Sequence, residues 1–310
     1  MLVNLAFEPL DTITFTVTEQ HSPSYTIAQI KQIIQVLMER NTIEEDRVLG
    51  IGVGAVGPLD RENGMIFEPE YFVAPDWKQV TIVDQLKEVF PGKILLENGA
   101  HVAAIGEYYH AAITQENILY CISGTGLRCG ILSNGQFVQN KTGDASSYGH
   151  MIIDVNQGNH SKDGDAHRTL SSYISLESLV EETKNRINMG EHSIIVELVE
   201  GKIEDCTINH LFTAMRCKDP LVNDVIMKSA YYYGIGLANM VNVLHPEQVI
   251  LSSLLIYELP DYYEKVTETA KKYIHKFDKD VVSFGKGHLK EDAVAIGASV
   301  LIFDTYFKVT

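Results

Sequence analysis

Apolar and polar positions alternate along this chain with two different periods, and the changes of period mark its elements. Thr12-Ile13-Thr14-Phe15-Thr16-Val17 alternates at every second residue, the pattern of a half-buried strand. With Glu8-Pro9-Leu10-Asp11 turning ahead of it, residues 2–18 read as a hairpin. Ile27, Ile30, Ile33, Ile34, Leu37 and Met38 then recur three and four apart, one apolar helix face. Val48–Gly54 is an apolar strand, and a turn runs from Leu59-Asp60 through Asn63-Gly64. Ile94-Leu95-Leu96 is a short buried strand, with a helix from Ala100 to Tyr109 behind it.

A second series starts at Asn117. Ile118–Ile122 and Cys129–Leu132 read as strands around a Gly124-Thr125-Gly126 turn, and Asn134-Gly135 is a strong hairpin signal. Residues 154–167 are polar and glycine-rich, a surface loop. Helices are expected over Ser175–Ile187, Ile208–Cys217, Leu221–Leu244, Asp261–Phe277 and Asp292–Tyr306, with a strand at Gln248–Leu251. Strand hairpins followed by helices, twice over, predict two α/β domains with a cleft between them, where ligands usually sit.

Composition narrows the function classes. A chain of 310 residues suggests two domains, and 45% hydrophobic with 21% charged residues excludes a disordered or fibrous chain. With 25 basic against 41 acidic residues the net charge is −16, which argues against direct nucleic-acid binding, since that needs Lys and Arg to displace counterions. The densest basic group is Lys271-Lys272 with Lys276 and Lys279. The N-terminus lacks the basic and small-residue signature of a signal peptide. No apolar run approaches the roughly 18 residues of a membrane span. A cytoplasmic location is expected, without membrane contact. Cys121, Cys129, Cys206 and Cys217 form no CxxC pair, so neither a disulfide framework nor a cysteine zinc site is expected.

Five blocks carry a resemblance. Gly50-Ile51-Gly52-Val53-Gly54-Ala55-Val56-Gly57-Pro58-Leu59-Asp60, Glu97-Asn98-Gly99-Ala100-His101, Gly124-Thr125-Gly126, Gly149-His150-Met151 and Gly236–Glu247 follow one another as in the ROK family of repressors, open reading frames and kinases. Gly297-Ala298 resembles the start of that family's closing helix. The resemblance implies a two-domain actin/hexokinase-like (ribonuclease-H-like) fold with an interdomain cleft. The small domain would comprise residues 1–116 plus 297–310, and the larger, dimerising one residues 117–296. Kinases of the family use ATP and Mg²⁺ to phosphorylate sugars. Its repressors add an N-terminal helix-turn-helix and sense a sugar, and the hairpin here is similar to the xylose-repressor-like branch. With the hairpin at the start of the sequence, no helix-turn-helix is expected in this chain.

Departures from the kinase pattern bear on function. The Asp that takes the proton from the sugar hydroxyl is Gly99 here; losing a positioned general base costs roughly 10²- to 10⁴-fold. The first phosphate turn reads Phe7-Glu8-Pro9-Leu10-Asp11, where Pro9 removes an N–H and two carboxylates oppose phosphate. Gly124, Thr125 and Gly126 persist, but Arg128 follows where glycine is expected, either to bind an anion or to fill the nucleotide's space. Ser252-Ser253-Leu254-Leu255 replaces a glycine-rich turn on the adenosine side. Sugar-contacting glutamates fall at Ser147 and Ser171, and Pro69 is followed by Glu70 in place of Asn. Asn98 and His150 remain, with Glu70 and Asp144 as further candidates for holding a polyol.

No cysteines of the family's zinc site occur between Asp154 and Ser172, and His150, His160 and His167 are the alternative metal set; neither metal nor cofactor is expected. The leading expectation is therefore a catalytically inactive, homodimeric regulator that acts by binding a regulatory protein, as co-regulator, antirepressor or effector half of a repressor. A sugar-sensing binding protein is the alternative. A third reading is a kinase whose base has moved to Asp144 or Glu97. Tyr231-Tyr232-Tyr233, Tyr257 and Tyr262-Tyr263 are either interface anchors or core.

Overall fold

The computed structural model describes residues 1–69, 72–111, 113–145, 147–154, 168–276 and 281–307. It divides into two compact units, one of residues 1–120, 129–146 and 287–310, the other of residues 121–128 and 147–286.

The first unit opens with β1 (Leu2–Val3) paired antiparallel to β2 (Pro9–Asp11), followed by α1 (Pro23–Arg40), which starts on a proline whose missing N–H costs nothing there. Next come β3 (Gly50–Ala55) and a small hairpin of β4 (Leu59–Asp60) and β5 (Met65–Ile66). After α2 (Ile82–Leu86), β6 (Lys93–Asn98) returns parallel to β3, in register from Gly50↔Lys93 to Ala55↔Asn98. α3 (Gly99–His110) leaves directly from the end of β6. Ile27, Leu59, Ile66, Trp77, Val83, Leu86, Phe90 and Leu96 form the unit's buried core.

β7 (Ile118–Ser123) and β8 (Leu127–Ser133) carry the chain into the second unit and back. β9 (Gln136–Phe137) pairs with β8 across Asn134 and Gly135, whose φ values of 51° and 72° are those of a two-residue hairpin turn.

In the second unit β10 (Ile152–Asp154) pairs with β11 (Arg168–Thr169). Helices α4 (Ser171–Ile174), α5 (Leu176–Asn188), α6 (Ile195–Leu198) and α7 (Ile208–Arg216) precede the 25-residue α8 (Pro220–Leu244). That helix ends at His245, left-handed at φ 48°, immediately before Pro246. β12 (Gln248–Ser252), α9 (Leu254–Glu258), α10 (Pro260–Tyr273) and β13 (Ser283–Lys286) follow, with β13 parallel to β12. The closing helix α11 (Ala293–Phe307) belongs to the first unit and lies against α3. The approach is close: a β-carbon at Gly297 would collide with the carbonyl oxygen of Val102.

Two expectations are corrected. Residues 12–17 form no strand; Phe15 is exposed and stacks on His21 at 5.6 Å, and no described strand lies beside the segment to complete a ladder. Period-two patterning makes a strand only where a partner exists. The α10 helix stops at Tyr273, because Ile274 turns to extended backbone at ψ 141°. Strand β13 and helix α9 had no pattern to announce them. The tyrosines divide: Tyr233 and Tyr262 are buried, with hydroxyls 3.2 Å from Tyr148 and 3.1 Å from Ser229, while Tyr231 and Tyr232 are half-buried. Of the loop 154–167, residues 155–167 lie outside the described residues, with His160 and His167 among them.

Candidate functional site: the β6–α3 corner

Leu95 and Leu96 carry β6 through the interior, so its last two residues, Glu97 and Asn98, arrive buried and polar. Polar groups in that position need partners. Asn98 finds one in the next helix: its Oδ1 accepts from the Ala100 N–H at 3.0 Å, making it the N-cap of α3. Gly99 is the first residue of that helix. Its φ lies outside the left-handed range, and a β-carbon there would meet only Ala55, its carbonyl oxygen 3.6 Å away, an ordinary contact. Neither backbone nor packing demands glycine, so the position has room for a side chain and carries none.

Two predicted residues meet at Gly57. The point where a β-carbon of Gly57 would stand is 2.8 Å from Asn98 Nδ2, 2.9 Å from Asp144 Oδ1 and 2.9 Å from the Gly143 carbonyl oxygen. An amide that donates and a carboxylate that accepts thus flank one stretch of backbone, a pairing suited to hydroxyl groups. Gly143 adopts φ 64°, which glycine tolerates without strain and which turns the chain toward Asp144.

Behind this corner lies a buried ion pair. Glu97, 2% exposed, receives Arg61 Nε at 2.7 and 2.8 Å on its two oxygens. Gln139 Nε2 donates to its Oε2 at 3.0 Å and the Asn98 N–H to its Oε1 at 2.7 Å. His101 Nδ1 stands 3.2 Å from Glu97 Oε1 and 3.2 Å from Arg61 Nη2. Burial raises the Glu97 pKa, but hydrogen bonds from His101, Arg61 and the Asn98 amide outweigh it and hold the carboxyl below its usual range.

The other predicted residues are placed elsewhere. In the second unit Arg128 Nη1 donates to Ser147 Oγ at 2.9 Å and to the Leu127 carbonyl at 3.3 Å. Gly124, Thr125 and Gly126 form the β7–β8 turn, the last two exposed, with the Gly124 N–H donating to Gly126 O at 3.1 Å. Ser171 packs its hydroxyl against Gly149. His150, a candidate polyol contact, ends a short 3₁₀ turn with an exposed side chain; among the described residues its ring has no hydrogen-bond partner. Glu70 lies outside the described residues. Among the described residues no three His, Cys, Asp or Glu side chains could hold a metal.

At the two remaining turns of the kinase pattern, some amides are already bonded by nearby side chains. Asn4 Oδ1 accepts from the N–H groups of Ala6 (2.9 Å) and Glu8 (3.0 Å), and Asn4 Nδ2 donates to Glu8 Oε2 at 2.8 Å. After β12, Ser253 Oγ caps α9 by accepting from Ile256 N at 3.1 Å, and Tyr257 donates to Ser252 Oγ at 2.9 Å. Amides bonded in this way no longer converge on an anion.

The sequence matches the ROK family over residues 2–305. The chain belongs to the ROK family. It is 26% identical over 277 residues to a glucokinase of Thermotoga maritima, covering 88% of this chain and 84% of that one. It is also 22% identical over 292 residues to the xylose repressor of Bacillus spizizenii, covering 94% and 70%. Among solved structures, a ROK glucokinase from Streptomyces griseus in complex with glucose and AMPPNP superposes with a TM-score of 0.77 at 21% identity, over 96% of this chain and 93% of that one. The fold is therefore the actin/hexokinase-like one of ROK sugar kinases. No described helix is long and apolar enough to cross a membrane.

Sequence reasoning missed Arg61 and Gln139. An acidic residue ending the apolar run Ile94-Leu95-Leu96-Glu97 signals a buried carboxylate in want of a cation, but any of 25 basic residues could have answered it.

Proposed function

We propose that this ROK chain is a non-catalytic, sugar-responsive regulator: it binds a sugar without phosphorylating it and passes the bound state to a regulatory protein, as a homodimer. One observation carries the reading. Gly99 stands where a kinase of this family places its base, in space that would accept a side chain, with no carboxylate on it. Phosphoryl transfer depends on positioning and electrostatic stabilisation. The nucleotide-side turns support the same reading, since Asn4 accepts from the Ala6 and Glu8 amides and Ser253 from the Ile256 amide. Asn98 and Asp144 favour retained sugar binding, because an amide and a carboxylate side by side suit a pair of hydroxyls.

The test is ATP-dependent phosphorylation across hexoses, pentoses and N-acetylhexosamines, for the wild type and for Gly99→Asp. Both proteins are expected to fold and to turn nothing over, the variant because the nucleotide side is still lacking. D-Glucose or D-xylose at millimolar concentration is expected to raise the wild-type melting temperature by mass action. Turnover by the wild type overturns the reading. Should that turnover vanish in Asp144→Asn, Asp144 is the relocated base and the chain is a kinase.

A further inference from the structure

Two other pieces of chain flank Gly57, one ending at Asn98 and one holding Gly143 and Asp144, and one side chain touches the supports of both. Arg61 comes from the tip of the β4–β5 hairpin, three residues beyond Pro58. Its Nε and Nη2 hold Glu97, the residue before Asn98, and its Nη1 donates to the Asn140 carbonyl at 3.0 Å, four residues before Asp144. Glu97 takes Gln139 from that same segment and the Asn98 amide from its own. The guanidinium therefore fastens the strand end that delivers Asn98 to the loop that delivers Asp144, while neither Arg61 nor Glu97 is one of the groups at Gly57.

Geometry of this kind is demanding. A planar guanidinium gripping a carboxylate by several N–H groups fixes orientation as well as distance, which a lysine ammonium does not. The pair is also sheltered, with the Arg61 side chain 21% exposed and that of Glu97 3%. Opposing it, Asn98 and Asp144 are a donor and an acceptor on unrelated segments, and nothing in the local sequence sets their separation.

Granted the sugar-binding reading above, we infer that Arg61 is the positioning residue of the sugar site, holding Asn98 and Asp144 at the spacing that accepts adjacent hydroxyls through its bonds to Glu97 and Asn140. It touches no ligand. Its work is to set the gap at Gly57.

Two measurements on the full chain test this, each for wild type, Arg61→Met and Arg61→Lys. The first is amide hydrogen exchange without ligand. Arg61→Met is expected to speed exchange over residues 139–145 by about tenfold or more, with α8 in the second unit unchanged and Arg61→Lys intermediate. The second is calorimetric affinity for D-glucose and D-xylose, expected to fall about tenfold or more in Arg61→Met and less in Arg61→Lys. Wild-type exchange at 139–145, or wild-type affinity, in Arg61→Met overturns the inference. If the wild type itself takes up neither sugar, the sugar reading fails, and exchange at 139–145 alone still decides whether Arg61 holds the two segments together. Should Arg61→Met not fold, Arg61→Lys carries the same two readouts, and wild-type exchange at 139–145 together with wild-type affinity in that variant overturns the inference.

Discussion

The β6–α3 corner and the turns that face the nucleotide in ROK kinases are made of the same materials: strand ends, backbone amides and small residues. They are organised in opposite senses. At the corner, side chains from three segments are drawn inward onto Glu97, leaving Asn98 and Asp144 arranged about Gly57. At the hairpin and after β12, side chains are turned back onto nearby backbone: Asn4 accepts from the Ala6 and Glu8 amides and Ser253 from that of Ile256. A turn can lose a ligand without losing its fold, provided a nearby polar side chain replaces the ligand's hydrogen bonds. A buried carboxylate has no such freedom, since removing its cation strands a charge.

The contrast can be broken most severely where helices meet behind the corner. Gly297→Ala places a methyl group against the Val102 carbonyl, and the loss is expected to be at least about 3 kcal/mol by denaturant unfolding, taking with it the sugar binding proposed for the first unit. Next comes Glu97→Gln, expected to lose about 2 kcal/mol at neutral pH, below the range for fully buried pairs because the Arg61 side chain is 21% exposed.

The same variant carries a pH signature. The folded Glu97 carboxyl titrates below its unfolded value, so its contribution is complete above the unfolded pKa, about 4.3, and is lost as pH falls through the folded one. Unfolding midpoints between about pH 6 and pH 2 should therefore converge for wild type and Glu97→Gln at the acid end. A constant gap would mean that the carboxylate's charge is not what holds the corner.

Smaller effects sharpen the comparison. Asn98→Ala removes the α3 cap and is expected to lose about 1 kcal/mol, together with sugar-induced stabilisation; Asn98→Asp keeps the cap and separates the two losses. Gly124→Ala probes the open turn. No described atom lies within 4 Å of the new methyl and φ is not left-handed, so stability should stay within about 0.5 kcal/mol of wild type.

Much of the architecture was legible in local pattern. The helix through Ile27–Met38, the Asn134-Gly135 hairpin and the long helix before Pro246 all formed as their periodicity and turn residues demanded. Residues 12–17 alternated as well as any strand and formed none, because pattern describes a face and not the neighbour that must cover it. Of the candidate site, the missing carboxylate at Gly99 was visible in the sequence, as were Asn98 and Asp144 as separate polar positions. Their meeting was not, with 45 residues of chain between them.

What the sequence determined by itself is chemistry and local preference: which side chains exist, where the longer helices run, and that position 99 has no proton acceptor. The tertiary structure alone decided which cation answers Glu97, how the segments carrying Asn98 and Asp144 come to flank Gly57, and which amides are left open. The reason lies in range. Helix and turn signals are read from hydrogen bonds a few residues apart, whereas Arg61 and Glu97 stand 36 residues apart and find each other only after β4 and β6 have packed.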